Sequence, residues 1–155
     1  MLEPTYREGD WFAVPLRGGG FAAVIVARAM PRMESVLLGY FFGPRRGGVP
    51  TLDELSALSA SDAVLVERFG DLGILDGTWP LVGHADTWDR GAWPTPAFGR
   101  LEELTGRAFK VIYDDGDPNR LLREERIDLS ELASMPKDGL SGAGAVERIL
   151  ARLLF

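Results

Sequence analysis

Two apolar runs joined by glycines, near the start of the chain, constrain its fold most. Gly9 to Leu16 reads Gly-Asp-Trp-Phe-Ala-Val-Pro-Leu, Arg17 to Gly20 forms a turn, and Phe21 to Ala29 carries Val24, Ile25 and Val26 in succession. Aromatic and β-branched residues fit a pleated surface, and glycines supply the positive φ of a tight turn, so the pair reads as a β-hairpin. Pro15 lacks a ladder donor, which puts the first strand at an edge or near its own end. The second run is too continuous to show which face is buried, and Pro31 stops it.

Val36 to Phe42 is a third uninterrupted apolar run, short enough for a fully buried strand, and Gly43 to Pro50 reads as a loop. Thr51 with Glu54 matches a capping box and opens a short helix whose apolar edge is Leu52, Leu55 and Leu58. Ser59 to Asp62 ends it, and Ala63 to Phe69 reads as a strand with Glu67 turned to solvent. Gly70 to Gly77 is turn-rich, and Trp79 to His84 is a further strand. Ala85 to Pro96 is a loop carrying Trp88 and Trp93, which either plug the core or meet a partner. Phe98 to Leu104 fits a strand edge or a helical turn, and Phe109 to Tyr113 alternates as a strand. Asp114 to Asn119 is an acidic turn. Arg123 to Ile127 fits a strand, Asp128 opens a helical turn, and Val146, Ile149, Leu150, Leu153 and Leu154 share one face of a last helix started by Ser141 or Gly142.

The 155 residues are 46% apolar and 26% charged, which fits one globular domain spanning residues 1–155. A chain of this length buries about 68–70% of the surface it exposes when unfolded. The formal charge of −6, spread over both halves, argues against nucleic acid as a partner and favours basic ones. Without cysteine, disulfides and thiolate chemistry are excluded. No apolar run is long enough to span a membrane, and the stretch from Met1 to Glu8 lacks the pattern of a secretory signal, so a cytoplasmic location is expected.

Motifs that would carry chemistry are incomplete. Gly18, Gly20 and Ala23 fit G-x-G-x-x-A, a dinucleotide fingerprint only if Phe21 to Arg32 is a helix. Asp115, Asp117 and Asn119 begin an EF-hand pattern, but Arg120 stands where the bend needs glycine and Arg126 where the bidentate carboxylate belongs. Gly139 to Ala143 fails as a hydrolase elbow because no strand precedes it and the one histidine lies upstream; Ser141 reads as a helix cap. His84 with Asp86 cannot make a multi-histidine metal site and reads as structural. Adjacent acids such as Glu102 with Glu103 point to opposite faces of a strand. No catalytic residue, cofactor or metal is expected.

Gly9 to Leu16, the glycine turn and Phe21 to Ala27 resemble the opening of the immunity protein 26 family of bacterial polymorphic toxin systems. Asp76-Gly-Thr-Trp-Pro-Leu-Val-Gly83 is similar to that family's second block. The resemblance covers the first two thirds of the chain and implies a non-enzymatic protein that binds and neutralises a cognate toxin domain, for which a basic nuclease would suit the acidic charge. It also implies structural roles for the motif residues: Asp10 at the strand entry, Trp79 in the core and Gly83 at a close backbone approach.

The fold expected is α+β: a mainly antiparallel, strongly bent sheet, with an SH3-like open barrel as one form of it, a short helix after Thr51 and a C-terminal helix. The toxin-binding surface expected is Trp88, Asp89 and Trp93 from the aromatic loop with Asp114, Asp115 and Asp117 from the acidic turn. Two other readings are a nucleotide-binding enzyme using Gly18 to Gly20 and a MazF-like SH3-barrel ribonuclease, the latter opposed by the negative charge. The sequence leaves the oligomeric state undetermined.

Overall fold

The computed structural model describes residues 6–30 and 36–155. Pro31, taken from the sequence as a strand stop, and residues 1–5 of the signal reading lie outside them. The elements in order are β1 (Asp10–Pro15), β2 (Phe21–Arg28), β3 (Val36–Arg46), α1 (Leu52–Leu55), β4 (Leu65–Gly70), α2 (Leu72–Leu75), β5 (Leu81–His84), β6 (Phe98–Glu102), β7 (Arg107–Tyr113), β8 (Leu121–Ile127), β9 (Leu140–Ser141) and α3 (Ala143–Leu153). Short 3-10 turns lie at Ala60–Asp62, Arg90–Ala92 and Leu129–Ser134.

The fold is α+β, as expected. A six-stranded sheet runs β5-β1-β2-β3-β4-β9 and a three-stranded sheet runs β6-β7-β8. Neighbours pair antiparallel except β9, which lies parallel to β4. The large sheet has two different edge strands and does not close into a barrel.

The hairpin forms with Trp11 opposite Ile25 and Pro15 opposite Phe21. Pro15 sits at the end of β1, where a missing donor costs least, although β1 itself is internal, between β5 and β2. Gly18, Gly19 and Gly20 all have positive φ, and Leu16 N–H donates to Gly20 O at 2.9 Å. Phe21 to Arg28 is strand rather than the helix a dinucleotide fingerprint needs. The Arg45 guanidinium donates to Gly19 O, so this turn is tied to β3 through its carbonyl.

Continuity of the β2 and β3 runs has a direct structural meaning: both faces of the sheet are buried. Phe12, Val14, Val24, Val26, Leu37, Phe41 and Phe69 pack on one face with Ile74, Trp79, Val146 and Leu150. Trp11, Ala23, Ile25, Leu38, Tyr40 and Phe42 pack on the other with Leu55, Trp93, Phe98, Val111 and Tyr113. The first face is covered by α2 and α3; the second by α1, the aromatic loop and the small sheet.

Trp79 stacks against Phe69 with centroids 5.5 Å apart, and its Nε1–H donates to Glu147 of α3 at 2.8 Å. The capping box at α1 is present, with Glu54 N–H donating to Thr51 Oγ1 at 3.3 Å and Thr51 N–H to Glu54 Oε1 at 3.2 Å.

Several local expectations are corrected. Glu67 is buried rather than turned to solvent, because β9 covers that end of β4 and the Ser141 hydroxyl donates to Glu67 Oε2 at 3.0 Å. Ser141 is thus a β9 residue and not a helix cap; Gly142 takes the N-cap position of α3. In α3 the buried stripe is Val146 and Leu150, continued by Leu154 packed against the core, while Leu153 is 50% exposed. The turn-rich segment after Gly70 contains α2, whose Gly73 lets Trp79 close in: a Cβ there would stand 2.8 Å from the indole.

Gly39 marks the tightest point between strands. A Cβ at this site would lie 2.7 Å from Phe69 Cε1 and 2.8 Å from Val24 Cγ2, and both neighbours are fully buried. Gly39→Ala is expected to lower unfolding stability by about 1–3 kcal/mol through overpacking. Urea denaturation measures this, with partial recovery expected in the Gly39→Ala/Phe69→Leu double variant.

Candidate functional site

The loop from Ala85 to Pro96 is fixed by its own chemistry at one end and by a buried cation beneath it. Asp89 caps the 3-10 turn Arg90–Ala92, its Oδ1 accepting from Gly91 N–H at 3.1 Å. This turns Trp93 inward, where it meets Trp11, Tyr40 and Phe42 edge-on with centroids 6.1, 5.3 and 5.9 Å away and is 8% exposed. Arg28, the last residue of β2, is 3% exposed and donates through Nη1 to Ala27 O at 2.7 Å and Trp93 O at 2.9 Å. Tyr40 Oη donates to Pro94 O.

The same arginine joins this loop to the acidic turn. Asp115 accepts from Arg28 Nε at 2.9 Å, Arg90 Nη1 at 2.6 Å and Thr95 Oγ1 at 2.8 Å. Arg90 also donates to Asp115 O at 2.6 Å and to Glu8 Oε1 at 2.9 Å. Partial burial alone would raise the Asp115 pKa. The hydrogen bonds from Thr95, Arg28 and Arg90 outweigh it and hold the carboxyl at about 2.

The structure therefore brings both predicted patches to one corner, with each residue in a definite setting. Asp115 is neutralised by two guanidinium groups. Asp114 and Asp117 accept from Gly116 N–H at 3.1 Å and Asn119 N–H at 2.9 Å, which shapes their own turn. Asp89 is exposed, and Trp88 is half-buried against the second core face. Trp88 also packs over Gly9, where φ is +93° and a Cβ would lie 2.8 Å from His84 Cε1 and 3.1 Å from Trp88 Cγ. Beside them, His84 Nδ1 lies 2.9 Å from Oδ1 of buried Asp10.

Next to this corner lies a groove of about 380 Å³ between α1 with its following turn and the aromatic loop. Trp11 and Ile25 form its floor, Leu55 and Trp93 contribute to the walls, and Asp86 and Asp89 line it, with no Lys, Arg or His lining it among the described residues. Sequence reading missed the part played by Arg28, Arg90 and Asp86. A lone arginine ending an apolar strand, where Arg28 stands, was the available signal for a buried cation holding a loop.

A second groove, about 640 Å³, opens between β4 and the segment leading into β9, lined by Ala63 to Glu67, Ala133 to Ser141 and Ile149. Burial raises the Glu67 pKa against the Ser141 hydrogen bond. Nearby, burial and the hydrogen bond to Asp138 push the Tyr113 hydroxyl up to about 12. Ser141 bonds Glu67 while His84 faces Asp10, so the two do not form a serine–histidine pair. Among the described residues no group of three or more His, Asp or Glu is placed to hold a metal ion, and no helix is long and apolar enough to cross a membrane.

Fold and surface together define an α+β protein that presents an acid-lined apolar groove beside an arginine-tied corner. The chain belongs to the immunity protein 26 family, whose model matches residues 7–110, about two thirds of its length. Comparisons with curated proteins and with solved structures each returned no match. The family assignment agrees with the resemblance of the two sequence blocks. Gly83, in the second block, faces Leu52 at 3.1 Å from its Cβ position.

Asp115 gives the corner an acid sensitivity of definite sign. Its folded pKa of about 2 lies below the ordinary 3.8, so its stabilisation is present above about pH 4 and lost as pH falls through 2. The side chain is 58% exposed, so solvent screening limits the effect to about 1 kcal/mol. Urea titrations at about pH 4 and pH 2 are expected to show a larger loss in wild type than in Asp115→Asn.

Proposed function

We propose that the protein neutralises a cognate toxin of a polymorphic toxin system in the bacterial cytoplasm by stoichiometric binding, without catalysis, as one domain. Membership of the immunity protein 26 family carries this reading. The proposed contact surface is the corner formed by Trp88, Asp89 and Trp93 with Asp114, Asp115 and Asp117.

The physical setting supports such a surface. An excess of carboxylates on a chain of charge −6 speeds encounter with a basic partner, and a toxin with a cationic substrate groove is such a partner. Hydrogen bonds from Arg28 and Arg90 hold the loops in place before binding, which reduces the ordering cost at the interface. The nucleotide-binding alternative is not favoured, since its required helix is β2. The ribonuclease alternative lacks support from the family match.

Within the proposed surface, Trp93 and Asp115 also hold the loop, so removing them would confound binding with folding. Trp88→Ala combined with Asp89→Asn, Asp114→Asn and Asp117→Asn tests the surface while keeping both, and asparagine keeps the oxygen with which each aspartate caps its own turn. With the toxin domain encoded beside this gene, calorimetry is expected to give a 1:1 complex and an unmodified toxin. The fourfold variant is expected to raise Kd at least about 100-fold, or about 2.7 kcal/mol. Thermal melts establish that it is folded, and unchanged affinity in a folded variant would reject this surface.

A further inference from the structure

The groove beside the corner has a chemistry that selects its occupant. We infer that it receives an arginine side chain of the toxin, whose aliphatic stem lies on the apolar floor and whose guanidinium meets Asp86 and Asp89. This rests on the immunity reading and names the group recognised.

Shape and lining argue for a single long side chain. A space of about 380 Å³ floored by Trp11 and Ile25 and walled by Leu55 and Trp93 suits an anchor residue that desolvates on binding. An aliphatic occupant would strand two carboxylates at an apolar contact, and a phosphate would meet only repulsion from them. A guanidinium on a methylene stem satisfies both halves of the groove.

Two features of the chain keep the groove acidic and preformed. Arg90, the cation of this loop, is turned away to Asp115 and Glu8, so it does not neutralise Asp86 or Asp89. Arg28 fixes the loop from below through Trp93 O. Among the described residues, every one that lines the groove falls between Trp11 and Trp93, inside the stretch 7–110 that the family model matches, whereas the acidic turn falls outside it.

Two measurements test the inference. In toxin-binding calorimetry, Asp86→Lys/Asp89→Lys is expected to raise Kd at least about 100-fold, and Asp86→Lys alone, which leaves the Asp89 cap of the Arg90–Ala92 turn intact, at least about tenfold. Ala92→Arg, which lines the groove with the chain's own guanidinium, is expected to weaken binding at least about tenfold, while Glu124→Lys on β8, outside the groove lining, leaves it within about twofold. Wild-type affinity in a folded Asp86→Lys/Asp89→Lys variant would overturn the groove and leave the immunity reading standing. Absence of any wild-type complex would overturn the immunity reading instead.

NMR titration then decides the groove's chemistry without the toxin. N-acetyl-arginine methylamide is expected to shift the Trp93 indole and Ala92 amide signals in wild type and not in Asp86→Lys/Asp89→Lys. Equal shifts with N-acetyl-norleucine methylamide, or none with the arginine probe, would refute the inference.

Discussion

The structure depends on a sheet whose central strands are buried on both faces. From Ala22 to Arg28 every residue of β2 is buried, and Leu37 to Phe42 of β3 is buried likewise. Such strands cannot stand in a single layer, because each apolar face left in water costs roughly 25 cal/mol per Å². The remaining elements answer that demand. α2 and α3 cover one face, with Trp79 wedged between Phe69 and Glu147, while α1, the aromatic loop and the small sheet cover the other.

The second covering is the one that forms the corner and the groove beside it. A loop has few backbone partners of its own, so holding Trp93 down requires donors from the sheet, and Arg28 supplies them. Burying a guanidinium is costly unless its donors are matched. Ala27 O, Trp93 O and Asp115 meet that requirement, and Asp115 in turn gathers Arg90 and Thr95. One buried cation thus decides how the aromatic loop sits and where the acidic turn meets it, and the groove opens in the space left beside α1.

Much of this architecture is legible in local chemistry. The glycine hairpin, the Thr51 capping box, the alternation of Phe109 to Tyr113 and the acidic turn all depend on neighbours in the chain, and all appear where the residues place them. Glu67 and Ser141 show where local reading stops. A glutamate after Val66 looks solvated until β9 arrives from seventy-odd positions away to cover it, and a serine before a helix looks like a cap until its hydroxyl finds that glutamate. Leu153 fails for a related reason: periodicity names a helical face, but only packing sets how far along the helix that face stays covered.

The sequence by itself determined the opening hairpin, the buried runs of β3 and β4, the acidic turn and the two blocks that mark the family, because those follow from backbone preference and residue order; β9, and the continuation of β3 from Gly43 to Arg46 that reads locally as loop, were set by pairing with distant strands. It also marked the aromatic loop and the acidic turn, the two segments of the proposed contact surface. Only the tertiary structure decided that they adjoin, that Trp93 points inward and Asp115 is held by two arginines, and that an acid-lined groove lies alongside. Those facts rest on contacts between residues tens of positions apart, such as Arg28 with Trp93 and Asp115, and no local pattern encodes which distant carbonyl or carboxylate a buried cation will find.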